Sequence, residues 1–160
     1  MARKRSSWRE KLNDSKGHPT VGPVTGKMTK RWGTGTMVIP APIEVDEIMK
    51  TAKKGRLITI DVIRQILAHK HSADFACPMT TGIFAWIAAH AADEAEREGK
   101  KRITPYWRTL KSSGELNPKY PGGLDNVKAR LEAEGHTVIA KGKRLLVEDF
   151  ERKLVKVPDE

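Results

Sequence analysis

The chain has 160 residues, 38% of them hydrophobic and 31% charged, enough for one domain with a core and too few for two large ones. No apolar run approaches the roughly 20 residues that span a bilayer, and the single cysteine, Cys77, excludes an internal disulfide or a thiolate metal cluster within one chain. A formal charge of +10 calls for a polyanionic partner, bound through counterion release.

That charge is uneven. Residues 1–36 hold 9 Lys and Arg against 2 acids, which leaves residues 37–160 at only +3. The same segment carries Gly17, Pro19, Gly22, Pro23, Gly26, Gly33 and Gly35 with almost no periodic apolar pattern, so it reads as a flexible basic arm. The arm either touches phosphates without specificity or only solubilises the chain. Trp8 and Trp32 are unusual there, and either docks on the domain or stacks on a base. The start of the chain has no apolar signal-like core, so a cytoplasmic location is expected.

From residue 37 the pattern becomes that of a domain. After Pro40 and Pro42, the positions Val45, Ile48, Met49 and Ala52 recur at helical spacing, with lysines following and Gly55 as the stop. Thr59 is placed to cap a second helix in TIDVIRQILAHKH, with Ile63, Ile66 and Leu67 on one face. His69 and His71 suit a solvated helix end better than a metal site, and Cys77 a small buried hydrophobe. A third helix follows, with Thr80 or Thr81 as cap and Phe84, Ile87, Ala88, Ala91 and Ala95 as its apolar stripe, ending before Gly99. Its Trp86/His90/Asp93/Arg97 stripe is either a partner surface or a partly covered solvent face.

ITPYWRTL and a turn-rich stretch lead into LDNVKARLEAEG, a helix with Leu124, Val127 and Leu131 inward and Gly135 as its stop. TVIAKGKRLLVE then reads as a hairpin around Lys141-Gly142-Lys143. Helices followed by a hairpin predict an α+β, mainly helical, winged-helix-like domain over 37–160, preceded by the basic arm. No Gly-rich phosphate loop, HExxH pattern or legible Ser/His/Asp arrangement points to an enzyme.

GRLITIDVIRQILA, TPYWRTLKSSGEL and YPGGLDNVKARLEAEGH together resemble the C-terminal DNA-binding domain of the O6-alkylguanine-DNA alkyltransferases and their alkyltransferase-like relatives, over residues 43–147. The motifs are Pro105-Tyr106-Trp107-Arg108 for the family's Pro-Cys-His-Arg, Tyr120-Pro121-Gly122-Gly123-Leu124, and Glu134-Gly135-His136, in the family's order. The resemblance implies a winged helix that approaches the DNA minor groove. It also implies that the chemistry is gone: Tyr106 stands at the nucleophile's position and Trp107 at that of its activating histidine, while Glu134 matches the family's glutamate. A phenol with pKa near ~10 is a poor substitute for a thiolate.

The alkyltransferase-like branch binds alkylated DNA without repairing it. By resemblance, Tyr106, Trp107, Tyr120 and Glu134 line a pocket for a flipped base, and Arg108 ties the motif to the scaffold. Thr59, Thr80, Thr81 and Gly82 reach DNA from the helix-turn-helix, and Lys141, Lys143 and Arg144 touch phosphate from the wing unless they are a solvated tip. The implied partner is double-stranded DNA containing O6-alkylguanine, followed by excision-repair proteins, for a monomer with no cofactor and no membrane. Two departures stand out: Ile60 falls where the family has a tyrosine that helps rotate the nucleotide, and Thr81 near the arginine that fills the vacated stack. Phe84 and Trp86 replace small residues and are expected to limit how deeply the helix seats. The rings of Tyr106 and Trp107 either frame the base pocket or plug it, and in the second case the fold is a protein-interaction scaffold.

Overall fold

The computed structural model describes residues 7–15, 17–26, 29–30 and 33–157. The expectation for Trp32 lies outside the described residues, as do several cations of the arm. In chain order the elements are helix α1 (Trp8–Asn13), strands β1 (Thr20–Pro23) and β2 (Thr36–Ile39), helix α2 (Pro42–Met49), β3 (Ile58–Thr59), α3 (Ile60–His71), β4 (Phe75–Ala76) and α4 (Pro78–Arg97). A 3-10 turn (Tyr106–Arg108) and β5 (Thr109–Leu110) follow, then α5 (Gly123–Ala133), the hairpin β6 (Val138–Lys141) and β7 (Arg144–Val147), and a last 3-10 turn (Phe150–Lys153). The fold is α+β and mainly helical, with small sheets and a C-terminal antiparallel hairpin.

Each helix start has a local cause. Pro42 sits at the first position of α2, where its fixed φ fits and its missing N–H costs nothing, and the Glu44 carboxylate accepts from the Ala41 amide at 3.0 Å. The Thr59 hydroxyl accepts from the Val62 amide at 3.2 Å and so caps α3. For α4 the sequence reading is corrected: the helix begins at Pro78, not after Thr80 or Thr81. A proline at the first helical position outweighs a hydroxyl cap, and the Thr81 hydroxyl instead donates to the Cys77 carbonyl at 2.6 Å.

The core lies where α2, α3 and α4 converge, with Val45, Met49, Ile63, Leu67, Ala85 and Ala88 removed from solvent. Buried Glu44 clamps α2 to the end of α3, accepting from Lys70 Nζ at 2.7 Å and meeting His71 Nε2 at 2.6 Å. His71 is therefore a clamp partner, not a solvated end. The hairpin is fastened by Leu116 N–H to the Leu145 carbonyl and Val147 N–H to the Gly114 carbonyl. Gly114 has no substitute there: its φ is +83°, and a Cβ would stand 2.3 Å from the Phe150 ring.

The described part of residues 1–36 departs from an unstructured arm. Strand β1 pairs antiparallel with β2, which pairs parallel with β4, in one three-stranded sheet. Helix α1 packs on α4: the Trp8 ring stacks on His90 at 4.5 Å and meets Trp86 edge-on at 4.8 Å. The Trp8 amide and Arg9 Nε both donate to Glu94 at 3.0 Å. A composition poor in apolar residues was misleading because α1 is held by ring contacts to Trp86 and His90 and by two ion pairs of Arg9, with Leu12 its single buried residue. The partner of the Trp86/His90 stripe is thus the chain's own first helix.

Candidate functional site

Pro105 turns the chain into one 3-10 turn, Tyr106–Arg108, whose first side chain is buried on Asn126 and whose other two meet Glu134. Tyr106 is 0% exposed. Its hydroxyl accepts from Asn126 Nδ2 at 3.0 Å, and the same amide's other hydrogen goes to the Pro121 carbonyl at 2.9 Å. Burial pushes the Tyr106 phenol up, against the nearby Arg130 charge and the Asn126 hydrogen bond. Among the described residues no imidazole or carboxylate is hydrogen-bonded to that hydroxyl, so nothing there draws off its proton.

Trp107 and Arg108 close on Glu134. The indole Nε1 donates to Glu134 at 3.1 Å, while Arg108 donates Nε at 2.9 Å and its terminal nitrogen at 2.6 Å, and its other terminal nitrogen reaches the Ala52 carbonyl at 2.8 Å. With side chains 14% and 9% exposed, Arg108 and Glu134 form a nearly buried, forked pair. Burial works to raise the Glu134 pKa, but the Arg108 and Trp107 hydrogen bonds outweigh it and hold the carboxyl below the usual range. Glu134 thus orients the indole of Trp107, a ring with no basic nitrogen. That use of Trp107 was not legible from the motif, which shows only that the imidazole is missing.

Tyr120 is 3% exposed and meets Tyr106 edge-on, with centroids 6.2 Å apart, and Tyr106 meets Trp107 edge-on at 5.3 Å. Burial drives the Tyr120 phenol upward as well. Arg130 lies over both Tyr106 and Trp107, at 5.5 and 4.7 Å from their centroids, and is itself held by Glu96 at 2.6 Å. Tyr106, Trp107, Tyr120 and Glu134 are therefore brought together, but as a packed row of rings with no open cleft between Tyr106 and Tyr120.

Open space lies beside this row. A groove of about 840 Å3 runs between α4 and the loop before α5, lined by Met79, Gly82, Ile83, Trp86, Asn117 and Lys119, with His90 at its end. Met79 and Ile83 are 54% and 47% exposed, and a Cβ built on Gly82 would meet nothing within 4 Å. Of the candidate DNA contacts, Gly82 alone lines this groove. Thr59 is buried as a cap, Thr81 is buried on the Cys77 carbonyl, and the half-buried Thr80 has a hydroxyl without a partner among the described residues. Phe84 is turned into the core, so of the two bulky rings only Trp86 narrows the groove.

Lys141, Lys143 and Arg144 stand exposed at the hairpin, where Arg144 lies 3.9 Å from Glu115, and none of them lines the groove. Sequence reasoning missed Met79 and Ile83 because exposed apolar residues look like core. Their signal was phase: they lie one turn apart, outside the Phe84/Ile87/Ala88/Ala91 stripe.

No family model and no curated protein sequence matches the chain. Two solved structures do. One is a crystal structure of S. pombe Atl1 in complex with damaged DNA containing O6-carboxymethylguanine, at 16% identity and a TM-score of 0.51, covering 72% of this chain and 94% of that one. The other is an S. pombe alkyltransferase-like protein in complex with DNA, at 17% identity and a TM-score of 0.52, with the same coverage. The chain carries the alkyltransferase-like fold to which its three motifs point.

Proposed function

We propose that this chain is a non-catalytic DNA-binding protein that recognises alkylated or otherwise damaged guanine and marks it for excision repair. The observation that carries the reading is the groove on α4, with Gly82 at its wall, in a fold shared with a protein crystallised on damaged DNA. Gly82 leaves room for backbone to come close to a groove edge, and exposed Met79 and Ile83 are the kind of apolar side chains that wedge between base steps. An extruded base, once unstacked, enters the space between α4 and the Asn117–Lys119 loop. The lack of alkyl transfer is supported by Tyr106: its hydroxyl is buried, tied to Asn126 and harder to ionise than a free phenol.

Binding of short duplexes with and without O6-methylguanine, at two salt concentrations, tests this. Tighter binding to the lesion at both salts is expected, whereas equal weak binding to both duplexes would remove lesion recognition. Incubation with methylated DNA followed by intact-mass measurement should leave the protein mass unchanged, and a methyl adduct would overturn the non-catalytic reading. Two observations favour a second reading, a protein-interaction scaffold: the rings of Tyr106 and Tyr120 plug the expected base pocket, and a 54% exposed methionine beside a 47% exposed isoleucine suits a protein partner. Under that reading Met79→Ser/Ile83→Ser leaves DNA affinity unchanged.

A further inference from the structure

A second groove, of about 920 Å3, opens at the Trp107 end of the ring row, and its lining is unlike the first. Its floor is Ala52, Ile103, Pro105 and Trp107, and its rim is cationic. The cations come from two stretches far apart in sequence: Lys50, Lys53 and Lys54 after α2, and Lys101 and Arg102 after α4. Among the described residues no carboxylate lines it. Arg108 is committed to Glu134 and Lys50 to Asp46 at 3.1 Å, but Lys53, Lys54, Lys101 and Arg102 are exposed and make no ion pair among the described residues. Four like charges held together at a groove edge repel one another, and the repulsion is relieved by a bound polyanion.

The donor and acceptor balance selects the polyanion. Lysine and arginine side chains offer donors only, and the Ala52 carbonyl is already taken by Arg108. An acidic peptide would bring backbone N–H groups that find few acceptors here. A DNA sugar–phosphate backbone brings acceptors only, and its apolar sugar edges suit the Ala52/Ile103/Pro105 floor. We propose that this groove is a second nucleic-acid site, which holds duplex DNA by its phosphates without reading the bases. The proposal rests on the DNA-binding reading above for the class of partner, and not on lesion recognition or on the α4 groove.

The test is the salt dependence of binding to an undamaged duplex by the full chain, native and Lys53→Gln/Lys54→Gln/Lys101→Gln/Arg102→Gln. Each phosphate contact contributes about 0.9 to the slope of log affinity against log salt, so the fourfold variant should lose about 3 to 4 from that slope. Its preference for O6-methylguanine over guanine, where the native chain has one, should stay as it was. Lys53→Arg/Lys54→Arg/Lys101→Arg should keep the native slope, which separates lost charge from lost fold. A fourfold variant whose slope stays within one of the native value overturns the proposal. So does a variant that loses a polyglutamate peptide while holding DNA with the native slope, because the groove is then an acidic-protein site. Loss of lesion preference alone, with the slope unchanged, would strike both this assignment and the separation of the two grooves.

Discussion

The two ends of the Tyr120–Tyr106–Trp107 row face different chemistry. At the Tyr120 end the surface is apolar and close to backbone, with Met79, Ile83 and Gly82 on α4. At the Trp107 end it is a rim of lysine and arginine over a small apolar floor. The first suits shape and stacking, the second long-range attraction. The rings of Tyr106 and Trp107 fill the space between them, edge-on to each other at 5.3 Å. The contrast teaches that the packed rings act as a wall, with the open surfaces to either side of it.

Breaking the wall should have the largest effect. Glu134→Ala strands the Arg108 guanidinium in a nearly buried place and is expected to cost on the order of 3–5 kcal/mol, read by urea denaturation. Glu134→Gln keeps an acceptor for Trp107 and should cost less. If both variants stay near native stability, the pair is not what fixes the Trp107 end. Tyr106→Phe is milder, since it removes one acceptor from Asn126 and should cost about 1–2 kcal/mol. Its affinity for DNA should be native in both damaged and undamaged duplexes, and a selective loss on the lesion would make Tyr106 a contact rather than a partition.

A pH series separates the wall from what surrounds it. Burial, with the Lys153 charge beside it, pushes the His136 pKa below its ordinary 6.5. The folded state therefore binds fewer protons than the unfolded one as pH drops below that value, and stability falls on acidification there. The depressed Glu134 and Glu44 carboxyls act lower: their contribution is complete above about pH 4.5 and is lost as pH falls through their folded values. Melting temperature should thus decline in two stages, and His136→Gln should remove only the upper one. The smallest change is Gly82→Ala, which has room for its methyl and should stabilise α4 by about 1 kcal/mol while weakening binding to duplex DNA. A variant that is more stable and binds as tightly as the native chain would show that DNA does not come close at Gly82.

Local signals were legible and long-range ones were not. Thr59 as a cap, Gly135 as a stop and the turn at Gly142 and Lys143 each depend on neighbours within a few residues, and the structure has all three. The PYWR, YPGG and EGH motifs were legible in order, and the structure gathers their side chains. Docking of Trp8 on the domain was one of two readings the sequence left open, but its place on α4 was not legible, because the acids of α4 show nothing about which cation will meet them. The basic groove was hidden for the same reason, since Lys53 and Lys101 share a rim only once the helices between them have packed. Thr81 was misread because a hydroxyl that looks like a cap also suits a bond one turn back inside the helix.

The α1 contact bears on how the chain would behave if shortened. Arg9 covers Glu94 and Glu98 near the end of α4, and Trp8 lies against Trp86, one wall of the apolar groove. Residues 7–13 therefore work as insulation on α4, with Arg9 offsetting the negative charge of Glu94 and Glu98. On the DNA-binding reading, a chain begun at residue 37 would bare those carboxylates and loosen the groove wall, and should bind duplex DNA more weakly than the whole chain.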